Sequence, residues 1–349
     1  MNKRACAVGV HAAQPRSASL GRVGTVDGCA VENRACCRLE MPTLRMLQTR
    51  IVRELAVEHA AGGAGLAHLS AASGLVKLGN RLFVVADDEH QLAMFDLCNR
   101  EPGRLLRLFG GKLPLRHKAR KAAKPDCEAL LVLPAFAGYP HGALMAMGSG
   151  SRPSRQRGAL LALDAAAGIQ GSARIVDLAP LLAPLHELIP DLNIEGAFVQ
   201  GDAFSMLQRG NGVSAINARI DFSWHGLQRW LTEAGPAPHP AAITRFALGA
   251  IDGVALSFTD GAALPGGDWL FSAAAEDTSD TYNDGRCVGS AVGLIDAEGT
   301  IRLLKHLSRA CKVEGIAASA TGGLIDLLLV TDADDRREPA QLLSAELHR

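Results

Sequence analysis

Glutamates occupy matching places in three segments of this 349-residue chain, Glu128, Glu195 and Glu314, each followed by a small residue, Ala129, Gly196 and Gly315. In two further segments the matching places fall to Ser73 and Ala262. Two residues earlier stand Ala71, Asp126, Asn193, Asp260 and Lys312. Carboxylates gathered in one place hold their protons or repel unless a cation joins them. A hard cation with oxygen ligands suits this donor set, and Ca²⁺ is the ion expected on Glu128, Glu195 and Glu314. A second reading is equally consistent with the residues. Each Glu would accept hydrogen bonds from backbone N–H groups of a neighbouring segment, and Lys312 would neutralise part of the charge.

A second constellation follows one strand later in each segment. It holds the acidic run Asp87-Asp88-Glu89, then Arg152 and Arg155, Arg209, Asp277 with Arg286 close behind, and Asp332. Acidic groups mixed with Arg suit a metal bound beside an anion such as a phosphate ester. The two Arg of the second segment, Arg209, Asp277, Arg286 and Asp332 are therefore the candidate substrate-binding residues. The competing reading is a solvated polar rim.

Sharper motifs are absent. GSGSR (148–152) lacks the GxSxG pattern of a nucleophile elbow. GGK (110–112) lacks the remaining residues of a P-loop, and there is no HExxH. DTYNDG (280–285) places Tyr282 where a calcium loop needs an oxygen ligand. The basic stretch 112–124 has no interleaved aromatics and reads as a solvated linker rather than a nucleic-acid patch.

The elements that would position these residues are short strands. Arg81–Ala86 and Gln91–Leu97 flank the first acidic loop; Ala143–Met147 and Ala159–Leu163 flank the second polar loop. Ala203–Leu207 is followed by Ser214–Phe222, Trp269–Ala274 by Val288–Ile295, and Asp326–Val330 by Gln341–Leu347. Turn residues such as Gly79-Asn80 and Pro265-Gly266-Gly267 separate the runs. The stretch 224–235 reads as a helical insertion. A repeat of four short strands, recurring roughly every 50–70 residues, is a propeller blade. First strands of propeller blades line the central channel, so the glutamates converge on the axis. The fifth repeat ends with three strands, and Leu47–Val57 can supply its fourth. The expected fold is therefore all-β, a five-bladed β-propeller over 46–349 closed by an N-terminal strand, with six blades as the alternative. Residues 1–45 show no periodicity and read as a disordered extension.

Composition sets the outer bounds. Hydrophobic residues make up 48 %, charged residues 21 %, and the formal net charge is zero. Bulk attraction to nucleic acid or anionic lipid is not expected, and no run of about eighteen apolar residues suggests a membrane span. The eight cysteines include no CxxC pair. They read as reduced thiols of a cytoplasmic protein, with a small-molecule ligand or substrate as the expected partner of a monomer.

The segments KPDCEALLVLP, ALMAMGSGSRPSRQRGALLALD, NIEGA, FTDGAALPGGDWLFSAAAEDTSDTYNDGRCVGSAVGLID, KVEGIA and LLLVTDADD resemble a bacterial propeller family of uncharacterised activity. That resemblance implies the fold and no reaction. The Glu-Gly starts are more distantly similar to phytase-like and gluconolactonase-type propellers, which implies channel carboxylates holding Ca²⁺. Two functions remain open: a Ca²⁺-dependent hydrolase of phosphate or other esters, and a non-catalytic propeller that binds a small ligand or a protein on its polar face.

Overall fold

The computed structural model describes residues 46–58, 67–210, 216–233, 235–277 and 285–349, together with three short strands near the start, Thr25–Val26, Cys29–Ala30 and Glu32–Cys37. Five antiparallel sheets form five blades, as the repeats predict, and the six-blade alternative falls. Blade 1 runs Ala72–Leu78, Arg81–Ala86, Gln91–Asp96, Arg104–Arg107. Blade 2 runs Cys127–Leu133, Ala143–Gly148, Arg157–Leu163, Ile169–Asp177. Blade 3 runs Ile194–Gln200, Ala203–Gln208, Asn217–Ser223, Ala242–Phe246. Blade 4 runs Val254–Ala263, Trp269–Asp277, Arg286–Ile295, Ile301–His306, with Ala250–Ile251 paired on its first strand. Blade 5 runs Lys312–Thr321, Leu324–Asp332, Gln341–His348.

The fourth strand of blade 5 is Thr49–Glu54, paired antiparallel with Gln341–Ala345, so an N-terminal strand closes the ring as expected. Closure removes one exposed sheet edge from each end of the ring. Leu47, Leu55 and Val57, which flank this strand, are buried. Arg53 carries the closure across to blade 1. Its guanidinium donates to the carbonyls of Asn99, Arg100 and Glu101 at 3.3, 3.3 and 2.6 Å and lies over the Phe95 ring. Of the first 45 residues, Glu32–Cys37 adds a parallel strand outside Ala242–Phe246 of blade 3. Most of the segment read as a disordered extension lies outside the described residues, as does most of DTYNDG.

Five apolar wedges, one between each pair of neighbouring blades, replace a single central core. This is why strands such as Trp269–Asp277 are buried on both faces and read as continuous apolar runs. The few aromatics concentrate where blades 3 and 4 meet: Trp269, fully buried, contacts Phe198, Phe246, Phe258 and Phe271. Among the described residues three helices decorate the ring: α1 (His117–Ala123), α2 (Ala179–Leu188) and α3 (Trp224–Thr232). The insertion predicted at 224–235 is α3, capped by Ser223, whose Oγ accepts from Gly226 N. It buries Trp224, Leu227 and Leu231 in the wedge between blades 2 and 3, beside Leu181, Leu182 and Leu185 of α2.

Every blade's first strand carries a register shift at its channel end. The unpaired residue is Ser73, Glu128, Glu195, Thr259 or Glu314. A bulge re-aims side chains and bends the strand. Four of these five positions match the sequence alignment; the fourth blade differs, with Thr259 standing where Ala262 was aligned. The small residue that follows has its own cause. A Cβ on Gly74 would lie 2.8 Å from Leu130 N of blade 2, and one on Gly196 would lie 2.8 Å from Asp260 Cα of blade 4. The Glu-Gly pair is therefore a bulge that presents a side chain to the channel, followed by the point where the next blade approaches most closely.

Candidate functional site

The channel end of the first strands is filled with charge. Asp126 anchors one side. It follows Pro125 and holds a left-handed backbone (φ 57°), a region Asp tolerates better than most residues. Only 3 % exposed, its carboxylate meets Arg155 Nη1 at 2.7 Å and Lys124 Nζ at 2.9 Å, and accepts from Ser149 Oγ at 2.5 Å. The Lys124 ammonium also contacts Asp87, at the end of the second strand of blade 1. The short 3₁₀ turn Pro153–Arg155 in the polar loop of blade 2 sets Arg155 at this place.

The other side is built around two buried cations. Arg209 reaches Glu195 at 3.1 Å, Glu276 at 2.5 Å and Glu314 at 3.8 Å. Lys312 Nζ lies 2.9 Å from both Glu276 and Glu314, 3.1 Å from Asp334 and 3.8 Å from Asp332. Asn193 Nδ2 donates to Glu195 at 2.5 Å. Fully buried Gln208 fixes the turn that carries Arg209, accepting from Asn193 N and donating to the carbonyls of Asp191 and Arg209. Parts of the two expected constellations thus meet: the loop cation Arg209 sits on the strand carboxylates Glu195 and Glu314.

A cavity of about 50 Å³ lies between the two sides, lined by six carboxylates (Asp87, Asp126, Glu128, Glu195, Glu314, Asp332) and five cations (Lys121, Lys124, Arg155, Arg209, Lys312). Glu276 adds a further carboxylate behind Arg209 and Lys312. A wider mouth of about 100 Å³ adjoins it, sharing Asp87, Lys121, Lys124 and Asp332 and adding Asp88, Arg120 and Arg336. There the basic stretch 112–124 departs from the expected solvated linker. As α1 and its flank it drives Arg120, 7 % exposed, and Lys124 into the acidic mouth. Arg120 binds Asp88 Oδ2 at 3.2 Å, the Asp88 carbonyl at 2.5 Å and Glu89 at 2.5 Å. Arg336, from the last blade, faces Asp88 and Glu89 at 3.2 and 3.6 Å.

Burial, joined by the crowding of like charges, raises the proton affinity of these carboxylates. Burial pushes Glu195 up to about 8 against the pull of Arg209, with Glu314 adding to the rise. Burial raises Glu128 further above its ordinary value, helped by Glu195, Asp126 and Asp87. Asp87 rises to about 6 by burial, opposed chiefly by Lys124. Burial works against the charge on Lys124, but Asp87, Asp126 and Glu128 outweigh it and hold that ammonium well above its usual range. A carboxyl whose folded pKa exceeds its unfolded value binds protons more tightly in the native state. Its contribution is complete below the unfolded pKa, near 4.5 for Glu195, and is lost as pH rises through about 8. Stability is therefore expected to decline between pH 5 and 8, and Glu195→Gln to flatten that decline, read from melting temperatures across the range.

The predicted metal residues Glu128, Glu195 and Glu314 do line one cavity. Glu195 and Glu314 are drawn to Arg209 and Lys312, while Glu128 faces the other side. Among the described residues, ligand atoms within 4.8 Å of one another come from Asp87, Asp126 and Glu128. Of the predicted substrate residues, Arg155, Arg209 and Asp332 line this cavity. Asp277 is exposed, and it pairs across its hairpin with Arg286 beside a separate cleft of about 550 Å³. Arg152 precedes the 3₁₀ turn and does not line the cavity. Asp260, aligned two residues before the glutamates, has a tying role instead. It is 1 % exposed and accepts from Ile316 N of blade 5 at 2.9 Å.

Fold and channel together define a five-bladed β-propeller with a closed, charge-filled axis. Residues 68–347 match the model of a "Family of unknown function (DUF6929)", and the chain belongs to that family. No curated protein matches it. Solved structures similar to it include Kuenenia stuttgartiensis hydrazine synthase (12 % identity, 79 % of this chain and 60 % of that chain, TM-score 0.33). Others are the Cps50 (Swd1) β-propeller domain of Myceliophteria thermophila (13 %, 84 % and 73 %, TM-score 0.34) and a luciferin-regenerating enzyme (10 %, 80 % and 92 %, TM-score 0.41). The chain thus spans less than two thirds of the hydrazine synthase chain. Likenesses of this degree carry no argument about function.

Proposed function

We propose that this propeller binds a small cation in its axial channel, Ca²⁺ being the first candidate, on Asp87, Asp126 and Glu128. One observation carries the reading: the buried site holds more carboxylates than cations, and three of its carboxylates have ligand spacing. All three offer the hard oxygens Ca²⁺ prefers.

The hydrolase reading, in which the cation acts on a phosphate or other ester, needs in addition a positive group free for the anion. Arg155 and Arg209 are each committed to carboxylates, so binding without catalysis is the better-supported activity. The partner is then the ion or a small cationic molecule, the protein a monomer without nucleic-acid or membrane partners. Among the described residues no helix is long and apolar enough to cross a membrane. Cys98, Cys127, Cys287 and Cys311 are free thiols, which fits the reducing cytoplasm.

A ligand bound only to the folded state stabilises by mass action, about 2.7 kcal/mol at a hundredfold excess over Kd. Ca²⁺ is therefore expected to raise the melting temperature of chelator-treated protein, and Glu128→Gln to abolish that rise. A melting temperature indifferent to Ca²⁺ and chelator would sink the cation reading. Turnover in an esterase and phosphatase panel would restore the hydrolase.

A further inference from the structure

We propose that the connection from blade 1 to blade 2, with Arg107, Arg157 and Leu115 at its centre, is a docking surface for an acidic peptide segment of a protein partner. The surface lies outside the channel cavity, and the inference stands whether or not an ion binds there. Residues 102–125 hold eight Lys and Arg side chains and no Asp or Glu, in a chain whose formal net charge is zero. The stretch 149–163 of blade 2 adds Arg152, Arg155 and Arg157, again without an acidic residue. Arg120, Lys124 and Arg155 turn inward to carboxylates. Lys112, Arg116 and Lys118 are exposed, and none of them forms an ion pair among the described residues.

Two guanidiniums here are fixed by neutral partners. Arg107 Nη1 donates to the carbonyls of Phe109 and Gly111 at 3.2 and 3.0 Å, and Arg157 lies over the Phe109 ring, 5.5 Å from its centre. Both residues are exposed. Carbonyls and a ring hold a guanidinium in place without cancelling its charge, so both are ordered in advance and open to a carboxylate. His90, buried edge-on against the same ring, registers that field: burial lowers its proton affinity, and Arg157 and Arg107 lower it further. The connection is firmly seated. Arg120 holds Asp88 and Glu89, Lys124 holds Asp87 and Asp126, and Arg155 donates to the Lys121 carbonyl at 3.5 Å. A partner therefore meets a preformed face. Leu115 stands out of it at 83 % exposed, more than any other large hydrophobic among the described residues, and supplies an apolar anchor. The same features select the class of partner. RNA recognition relies on exposed aromatic rings for stacking, whereas Phe109 is 1 % exposed beneath Arg157. A lipid surface is held by a broad apolar face, whereas α1 turns Ala119, Ala122 and Ala123 outward behind a single exposed leucine. Carboxylates on an extended peptide, with one apolar contact among them, match both the guanidiniums and Leu115.

The probe is a fluorescent peptide in which Glu alternates with Leu, titrated with the full chain and read by anisotropy at low and high salt. Wild-type protein should bind it, and less tightly as salt rises. Replacing both guanidiniums, Arg107→Gln with Arg157→Gln, should weaken binding roughly tenfold. Leu115→Ser should keep the wild-type melting temperature, lose affinity for the Glu-Leu peptide, and bind an all-Glu peptide as the wild type does. No binding of either peptide, or an affinity that neither set of substitutions changes, overturns the proposal. Tighter binding to single-stranded RNA or to vesicles of anionic phospholipid than to the peptide also overturns it. Should the double arginine variant fail to fold, Leu115→Ser and the salt dependence decide the matter.

Discussion

A chain that begins at residue 58 is expected to aggregate. It lacks Thr49–Glu54, so Gln341–His348 becomes a bare sheet edge of the kind that recruits other chains. It also lacks Leu47, Leu55 and Val57, all 5 % exposed or less. At about 1.5–3 kcal/mol for each buried side chain, their loss alone removes roughly 5–9 kcal/mol, which is comparable with the whole stability of an ordinary domain. Arg53 and its three carbonyl partners in blade 1 go as well. Size-exclusion chromatography and a thermal melt check the result; a monomeric truncation that melts cooperatively would refute closure by this strand. Leu55→Ala gives a graded control, with an expected cost of about 2–5 kcal/mol and no change in association.

The second large effect belongs to Arg209. Its side chain is 6 % exposed and faces three carboxylates, Glu195, Glu276 and Glu314. Arg209→Met leaves them buried without their shared cation, and removing one partner of a buried ion pair costs about 3–5 kcal/mol. The loss should be greater at pH 8 than at pH 5, because Glu195, raised by burial to about 8, is protonated at the lower value and one charge fewer is then left unpaired. Adding Glu195→Gln should return part of the lost stability, since one of the abandoned charges is then gone. Denaturant unfolding at both pH values provides the measurement. A single variant within about 0.5 kcal/mol of wild type would mean that the cluster is compensated elsewhere.

The blades were legible because their signals are local. Alternating apolar runs and turn residues placed Arg81–Ala86 at the bounds the structure shows, and they marked most other strands to within a few residues. The site was legible only in part. Repeat position identified Glu128, Glu195 and Glu314, and the polar loops supplied Asp87, Arg155, Arg209 and Asp332. Which carboxylate meets which cation depends on bulges and on the distance between blades, and neither leaves a mark in composition. The bulge in blade 4 moved its equivalent position from Ala262 to Thr259. The role of α1 was hidden for another reason. A helix held by Arg120 and Lys124 rather than by an apolar stripe has no hydrophobic periodicity to betray it. In α2, Pro180 and Pro184 obscure the helical pattern of APLLAPLHEL.

The strand that closes the ring also sets a timetable for synthesis. Glu54 leaves the ribosome long before its partner Gln341. At 5–20 residues per second the first of these strands waits about 15–60 s for its neighbour. Blades 1, 2 and 4 contain all their strands in sequence order, as do the four consecutive strands of blade 3, and they can assemble as they emerge because those pairings are local; only the Glu32–Cys37 strand added to blade 3 is paired over a long range. Blade 5 cannot, and the waiting strand carries Ile51, which stays 45 % exposed even when paired. Between those two points the nascent chain is an open arc whose waiting strand is unpaired, with Leu47, Leu55 and Val57 beside it uncovered. That interval is when a holding chaperone would matter, and a pause late in translation would lengthen it.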